Sequence, residues 1–292
     1  MTNRFFMKTP IYLAALTLLL APAAWGKAWK KGSSFKPDHV EVYKKIGDTE
    51  LTLHVFHPES KKPEKPAPAI VMFHGGGFSK GSPDAFFYFC EYLASRGMVA
   101  ISAQYRLGDR LECLKDAKSA MRYVSKNAAR FGIEPEKIAA GGGSAGGHLA
   151  AATATSQIIN EEGDDLSIST VPAALVLFNP ILGHQDSVNR WKPEIRKDFR
   201  PWFGIRAGMP PTLCMWGEDD KFLSPAIMKE FQQKLTEVGV RCEIEIYPGQ
   251  AHSFFDNDEK WVVTTVGRAD IFLASLGFLE GKPTIGEWVK KP

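Results

Sequence analysis

The chain has 292 residues, of which 44% are hydrophobic and 24% charged, with a formal net charge of +3. That is an ordinary globular composition, long enough for one large α/β domain and favouring one domain over two. So small a net charge leaves no electrostatic case for nucleic acid or for an anionic membrane surface as partner.

At the N-terminus, Arg4 and Lys8 precede an apolar run from Ile11 to Ala21, and Ala24-Trp25-Gly26 has the small-x-small pattern of a signal-peptidase site. Eleven residues at roughly 1.5 Å each cover about 17 Å, short of the ~30 Å of a hydrocarbon core, so cleavage fits better than a membrane anchor. A signal peptide over residues 1–26, a polar leader over 27–37 and a catalytic domain over 38–292 are expected. The protein is then exported, periplasmic or secreted, with no membrane span in the mature chain.

After the leader, His39 to Tyr43 and Leu51 to Phe56 alternate around Gly47-Asp48, as in an antiparallel hairpin at a sheet edge. The loop Glu59 to Pro68 leads into Ala69-Ile70-Val71-Met72-Phe73, a continuous apolar run of the buried parallel-strand kind. Helical patterns then occupy Asp84 to Arg96, Glu112 to Asn127 and Ala145 to Thr155, separated by strand patterns at Val99 to Ala103 and Lys137 to Gly141. Strands follow at Ala174 to Phe178, Thr212 to Trp216 and Cys242 to Tyr247, with helices over Pro225 to Val238 and Glu259 to Leu276. This order predicts an α/β fold, a mostly parallel eight-stranded sheet with helices on both faces.

Two stretches break the rhythm. Asn160 to Val171 is acidic and polar, and reads as a surface loop. Gly183 to Met209 follows a strand, on the edge where open parallel sheets place ligands; its Trp191, Trp202 and Phe203 either wall a substrate pocket or pack the loop.

The sharpest chemical signal is the run from Lys137 to Gly147, a strand entering Gly142-Gly143-Ser144-Ala145-Gly146 and then an Ala-rich helix. A serine nucleophile needs this setting, because a tight turn exposes its Oγ and flanking glycines allow strained backbone and close helix–strand packing. Upstream, the Ala69 to Phe73 strand ends in His74-Gly75-Gly76-Gly77-Phe78. Backbone N–H groups of Gly76 and Gly77, with that of Ala145, suit an oxyanion hole. Phe78 joins the candidate pocket residues.

A serine hydroxyl is a poor nucleophile until a base takes its proton. His252, in the loop after the Cys242 to Tyr247 strand, is the candidate base. His74 reads as an anchor of the glycine loop. His148, one helical turn from Ser144, reads as packing or capping. The orienting acid is expected from Thr212 to Asp220, which ends Gly217-Glu218-Asp219-Asp220; spacing favours Asp220, with Asp219 its rival. Serine, acid, histidine is the chain order expected for a hydrolase of this α/β type.

Together, His74 to Phe78, Tyr105-Arg106-Leu107, Ser144 to Gly147, Gly217 to Asp220 and His252 to Phe255 resemble the bacterial esterases related to hormone-sensitive lipase and to polysaccharide acetyl and feruloyl esterases. The resemblance spans about Val40 to Leu276. It implies an α/β-hydrolase fold, a serine esterase needing no metal or organic cofactor, and short-chain or aromatic acyl esters, acetyl or feruloyl groups on polysaccharide, as substrates. Hormone-sensitive-lipase relatives carry Asp where Gly143 stands and a helical N-terminal cap, for which too few residues precede the first strand here. The alternatives are an amidase, formamidase or peptidase on the same residues, or a non-catalytic binding module.

Four cysteines, Cys90, Cys113, Cys214 and Cys242, match no metal or CxxC spacing. Export makes disulfides chemically allowed, whereas strand-like surroundings favour buried free thiols for Cys214 and Cys242.

Overall fold

The computed structural model describes residues 34–58, 65–183 and 192–290; the expected signal peptide and most of the leader lie outside them. Eight strands form one sheet in the order β1-β2-β4-β3-β5-β6-β7-β8. The hairpin β1 (His39–Ile46) and β2 (Thr49–Phe56) turns at Gly47-Asp48, and β2 pairs antiparallel with β4 (Val99–Ala103). From β4 onward every pairing is parallel, through β3 (Ala67–Phe73), β5 (Ile133–Gly143), β6 (Leu175–Phe178), β7 (Thr212–Gly217) and β8 (Cys242–Tyr247).

Strands β4, β6 and β7 are buried at every position, which explains their unbroken apolar sequences: both faces are covered. One core packs α2 (Arg110–Lys126), α3 (Ala128–Phe131), α4 (Ala145–Thr155) and α6 (Pro225–Glu237) on one face. The opposite core packs α1 (Phe87–Ser95), α7 (Glu259–Ser275) and α8 (Ile285–Trp288). Helix starts follow the caps in the sequence: the Asp109 carboxylate accepts from Leu111 N at 2.8 Å, and that of Asp258 from Trp261 N at 3.0 Å. No helix among the described residues is long and apolar enough to cross a membrane.

Helix α4 lies directly on the sheet. A Cβ on Gly146 would sit 1.9 Å from the Phe73 carbonyl oxygen, so only glycine permits that approach. The chain leaves β3 toward β4 on one side and returns to β5 on the other, making the C-terminal ends of β3 and β5 the topological switch point of the sheet.

Two expectations are corrected. Strand β5 begins at Ile133 rather than Lys137, because Ala67 pairs with Ile133 before an irregularity in the ladder. The stretch Gly183 to Met209 is not all loop: α5 (Pro193–Phe199) and a single turn at Pro201–Phe203 occupy part of it. Pro193 at the first helical position, Glu194 in the first turn and Arg196 and Lys197 in the last were start and stop signals for α5. All four cysteines are free thiols.

Candidate active site

Five strands end side by side, and the next residues of each meet above the switch point. Ser144 leaves β5 with φ 53°, a left-handed conformation that costs a non-glycine residue free energy and lifts its side chain out of the turn. The turn is held on both sides: Ser144 N donates to Phe178 O at 2.9 Å, while Ser144 O accepts from His148 N at 3.0 Å and Ile181 N at 3.3 Å.

His252, in the loop after β8, reaches Ser144. Its Nε2 lies 2.8 Å from Ser144 Oγ and its Nδ1 2.7 Å from Asp220 Oδ2. With Nδ1–H donated to the carboxylate, Nε2 is left to accept from the serine hydroxyl. The Asp220 side chain has no solvent exposure. Burial pulls its pKa upward, but hydrogen bonds from His252, the Phe222 amide and Asn179 outweigh that and hold it below the ordinary carboxylate range. Its rival Asp219 is exposed, and among the described residues only its backbone amide is engaged, with Gln250 O at 2.9 Å.

The glycine loop follows β3. Gly76 and Gly77 have φ of 120° and 64°, and a Cβ on Gly76 would collide with Lys80 O at 2.0 Å. Among the described residues, the N–H groups of Gly76, Gly77 and Ala145 donate to no protein acceptor and remain available to an anion. Beneath the loop, the Tyr105 ring stacks on His74 at 4.3 Å and its hydroxyl donates to His74 O at 2.7 Å. Burial lowers the His74 pKa. Gly108 N donates to Phe78 O at 2.7 Å, and Arg106 is held by the buried Asp116, whose Oδ2 accepts Arg106 N at 2.9 Å and Nε at 2.7 Å. The Cys113 thiol, pushed up to about 12 by burial, donates to Arg106 O at 3.0 Å. This network makes the Tyr105-Arg106-Leu107 segment the floor of the glycine loop.

The expected pocket residues are placed differently. Phe78 is buried, edge-on to His148 at 5.4 Å. Trp191 lies outside the described residues. Trp202 packs into the core, stacked on Phe231 of α6 at 6.1 Å. Phe203 is 43% exposed and lines a surface cavity of about 320 Å³ with Thr155, Ile158 and Arg206. Thr155 ends α4, eleven residues from Ser144 and thus about 16 Å along the helix axis. Trp202 and Phe203 are therefore not walls of the Ser144 site: from Phe199 to Arg206 the chain runs down α4 away from the nucleophile. His148 is the reason the chain starts there, for its ring joins Ile181 O and, at 2.9 Å, Phe199 O.

Three further residues belong to the site, Phe222 and Asn179 without a sequence motif and Phe255 at the end of the His252 motif. Phe222 is 55% exposed and lies over the His252 ring at 4.5 Å between centroids. Asn179, just after β6, donates Nδ2–H to Asp220 Oδ2 at 2.9 Å. Phe255 stacks with Phe86 at 6.0 Å, and its Cζ would stand 2.7 Å from a Cβ on Gly143. The space that an aspartate at position 143 needs is filled here by an aromatic ring, which accounts for that departure from the hormone-sensitive-lipase pattern.

The sheet order, the left-handed serine turn and the glycine loop at the switch point define an α/β-hydrolase fold. The BD-FAE family matches residues 53–175, and the dienelactone hydrolase family residues 205–279. Esterase 2 of Thermogutta terrifontis superposes with a TM-score of 0.79 at 39% identity, over 84% of this chain and 96% of that one. The chain belongs to this α/β-hydrolase esterase family. It is also similar to a probable isoprenylcysteine alpha-carbonyl methylesterase of Arabidopsis thaliana, at 24% identity over 64% of this chain and 46% of the relative. An acetylxylan esterase of Xylanibacter ruminicola is 25% identical over 66% of this chain and 42% of its own length. The chain thus spans about half the length of these two curated relatives.

Proposed function

We propose that the protein is a serine-dependent carboxylic ester hydrolase, exported from the cytoplasm, that removes short-chain or aromatic acyl groups, acetyl or feruloyl, from polysaccharide. The observation that carries the reaction is the unbroken hydrogen-bonded line from Ser144 Oγ through His252 to the buried Asp220, beside three uncommitted backbone N–H groups.

In this reading Ser144 Oγ attacks the ester carbonyl carbon while His252 Nε2 takes its proton, and Asp220 stabilises the imidazolium formed. The carbonyl oxygen, now an oxyanion, is held by the N–H groups of Gly76, Gly77 and Ala145. The tetrahedral intermediate collapses, His252 returns the proton to the departing alcohol, and Ser144 carries the acyl group. Water, deprotonated by His252, attacks the acyl carbon; a second collapse releases the acid and restores the Ser144 hydroxyl.

Support for the acyl class comes from two relatives named for acetyl esters, the acetylxylan esterase and a versiconal hemiacetal acetate esterase, and from the Thermogutta enzyme, solved with propionate bound. Export is supported by the leader sequence.

The test is release of acetate and ferulate from acetylated and feruloylated xylan by the mature protein, with p-nitrophenyl acetate as a generic ester and Ser144→Ala as the blank. Release from xylan that disappears in the variant, by several orders of magnitude in kcat, is the expected result. Hydrolysis of the generic ester alone refutes the polysaccharide assignment, and inactivity on all esters refutes the reaction class.

A further inference from the structure

The stretch Phe178 to Ile181 joins the nucleophile turn to the acid turn. Phe178 O accepts Ser144 N, Ile181 N donates to Ser144 O, and Pro180 fills the space that a side chain on Gly147 would need, 2.9 Å from its Cβ. Asn179 N donates to Met215 O of β7 at 2.9 Å, fixing the stretch to the strand that carries Asp220. Asn179 supplies the only polar side chain in these four residues, and it points at the acid: Nδ2–H is donated to Asp220 Oδ2, the oxygen that also receives His252 Nδ1–H.

Two features of Asn179 are unfavourable for stability. Its φ of 42° lies in the left-handed region, which glycine occupies without strain. It is fully buried, and its Oδ1 has no hydrogen-bond partner among the described residues. Flipping the amide does not relieve this, since Oδ1 would then face the Asp220 carboxylate. A glycine satisfies the backbone here and an apolar side chain the burial, but neither donates to Asp220 as the amide does.

We propose that Asn179 is a positioning residue for the acid, an inference that rests on Ser144, His252 and Asp220 acting as a triad. Rotation about the last torsion of an aspartate is soft. Phe222 N holds Oδ1 at 2.8 Å and Asn179 holds Oδ2 at 2.9 Å, so the carboxylate plane is clamped at both oxygens and Oδ2 stays in line with Nδ1. Without the amide, Oδ2 keeps His252 as its one donor and the plane is held less tightly, with only Phe222 N on Oδ1 besides, and a misplaced orienting group costs rate without costing substrate binding.

The discriminating variant is Asn179→Gly, which keeps the backbone conformation and deletes the amide; Asn179→Leu, which keeps the volume, is its companion. Each is assayed on p-nitrophenyl acetate well below its own melting midpoint, so that unfolding is not read as lost turnover. In both, kcat falls about ten- to hundredfold with KM within about twofold. The low-field proton resonance of the His252 Nδ1–H broadens or vanishes, and neither variant reduces kcat further in an Asp220→Asn background. Wild-type kcat in Asn179→Gly overturns the inference, leaving Asn179 a backbone residue only; so does a loss that adds in full to that of Asp220→Asn. Full activity in Ser144→Ala defeats the triad reading itself, an outcome distinct from either.

Discussion

His148 gives the protein a pH-dependent weakness next to its nucleophile. The imidazole is buried between Ile181 O and Phe199 O, and burial, against the pull of these two carbonyls, lowers its pKa from 6.5 to about 4. A depressed histidine is neutral in the folded state where the unfolded chain already binds a proton, so between about pH 6.5 and 4 the unfolded state binds more protons and stability falls as pH falls; above that window the contribution is fully present. For these two values the loss between pH 7.5 and pH 5 is about 2 kcal/mol. In a chain of this size that corresponds to a fall in Tm of about 3 to 4 °C. His54, His57 and His74 are depressed in the same direction by burial, so the His148 contribution is read as a difference between proteins. Thermal melts followed by circular dichroism at the two pH values, for wild type and His148→Gln, isolate it: the variant is less stable at pH 7.5 and has the shallower dependence. An equal slope in both proteins would falsify the neutral-imidazole argument. A wild type that gains stability toward pH 5 sinks it in the opposite sense, since two carbonyl acceptors then hold an imidazolium.

Tyr105→Phe removes the hydroxyl that satisfies His74 O and leaves a buried carbonyl unpaired, a loss of about 1 to 3 kcal/mol in denaturant midpoints. The glycine loop then loosens and kcat falls more than KM rises; unchanged steady-state kinetics show that the loop does not depend on this bond. Gly143→Ala brings a Cβ to 2.7 Å from Phe255 Cζ, an overpacking worth about 1 to 3 kcal/mol, and Phe255→Leu in the same chain recovers part of it. Failure of that suppression by differential scanning calorimetry locates the clash elsewhere. Asp116→Asn strips Lys44 and Arg106 of their fully buried carboxylate while leaving both paired with Glu161, and costs about 1.5 to 3 kcal/mol in urea unfolding. A loss below about 1 kcal/mol means that solvent reaches the pair and screens it.

What the sequence made legible was local. The central strands announced themselves because a strand buried on both faces has to be apolar along its length, as in Ile70 to Phe73 and Leu213 to Trp216, and the edge hairpin by its alternation. Ser144 was marked by its own neighbours, since the turn it occupies demands glycine within two residues on either side. The choice between Asp219 and Asp220 was different in kind. Both carboxylates leave the same turn, and what separates them is that Asp220 points inward to Asn179 and His252, chain neighbours 41 and 32 residues away.

The same reasoning explains Trp202 and Phe203. An aromatic in a long loop has the same composition whether it lines a site or packs a helix, and only the path of the backbone decides. That path is set at one point, where the His148 ring sits between the Ile181 and Phe199 carbonyls, donating its one N–H to one of them, and the chain runs down α4 rather than across Ser144. His148 carried no signal of this, because a histidine one turn after a nucleophile looks the same whether it caps, packs or clamps. Phe222 and Asn179 were silent for the converse reason: each acts on a triad member that a different strand supplies or that lies beyond its own turn. Residues that build the nucleophile turn are constrained by their own backbone and leave a motif. Those that hold His252 and Asp220 in place are constrained only by what the fold sets against them, so they emerge once β6, β7 and the loop after β8 are seen side by side.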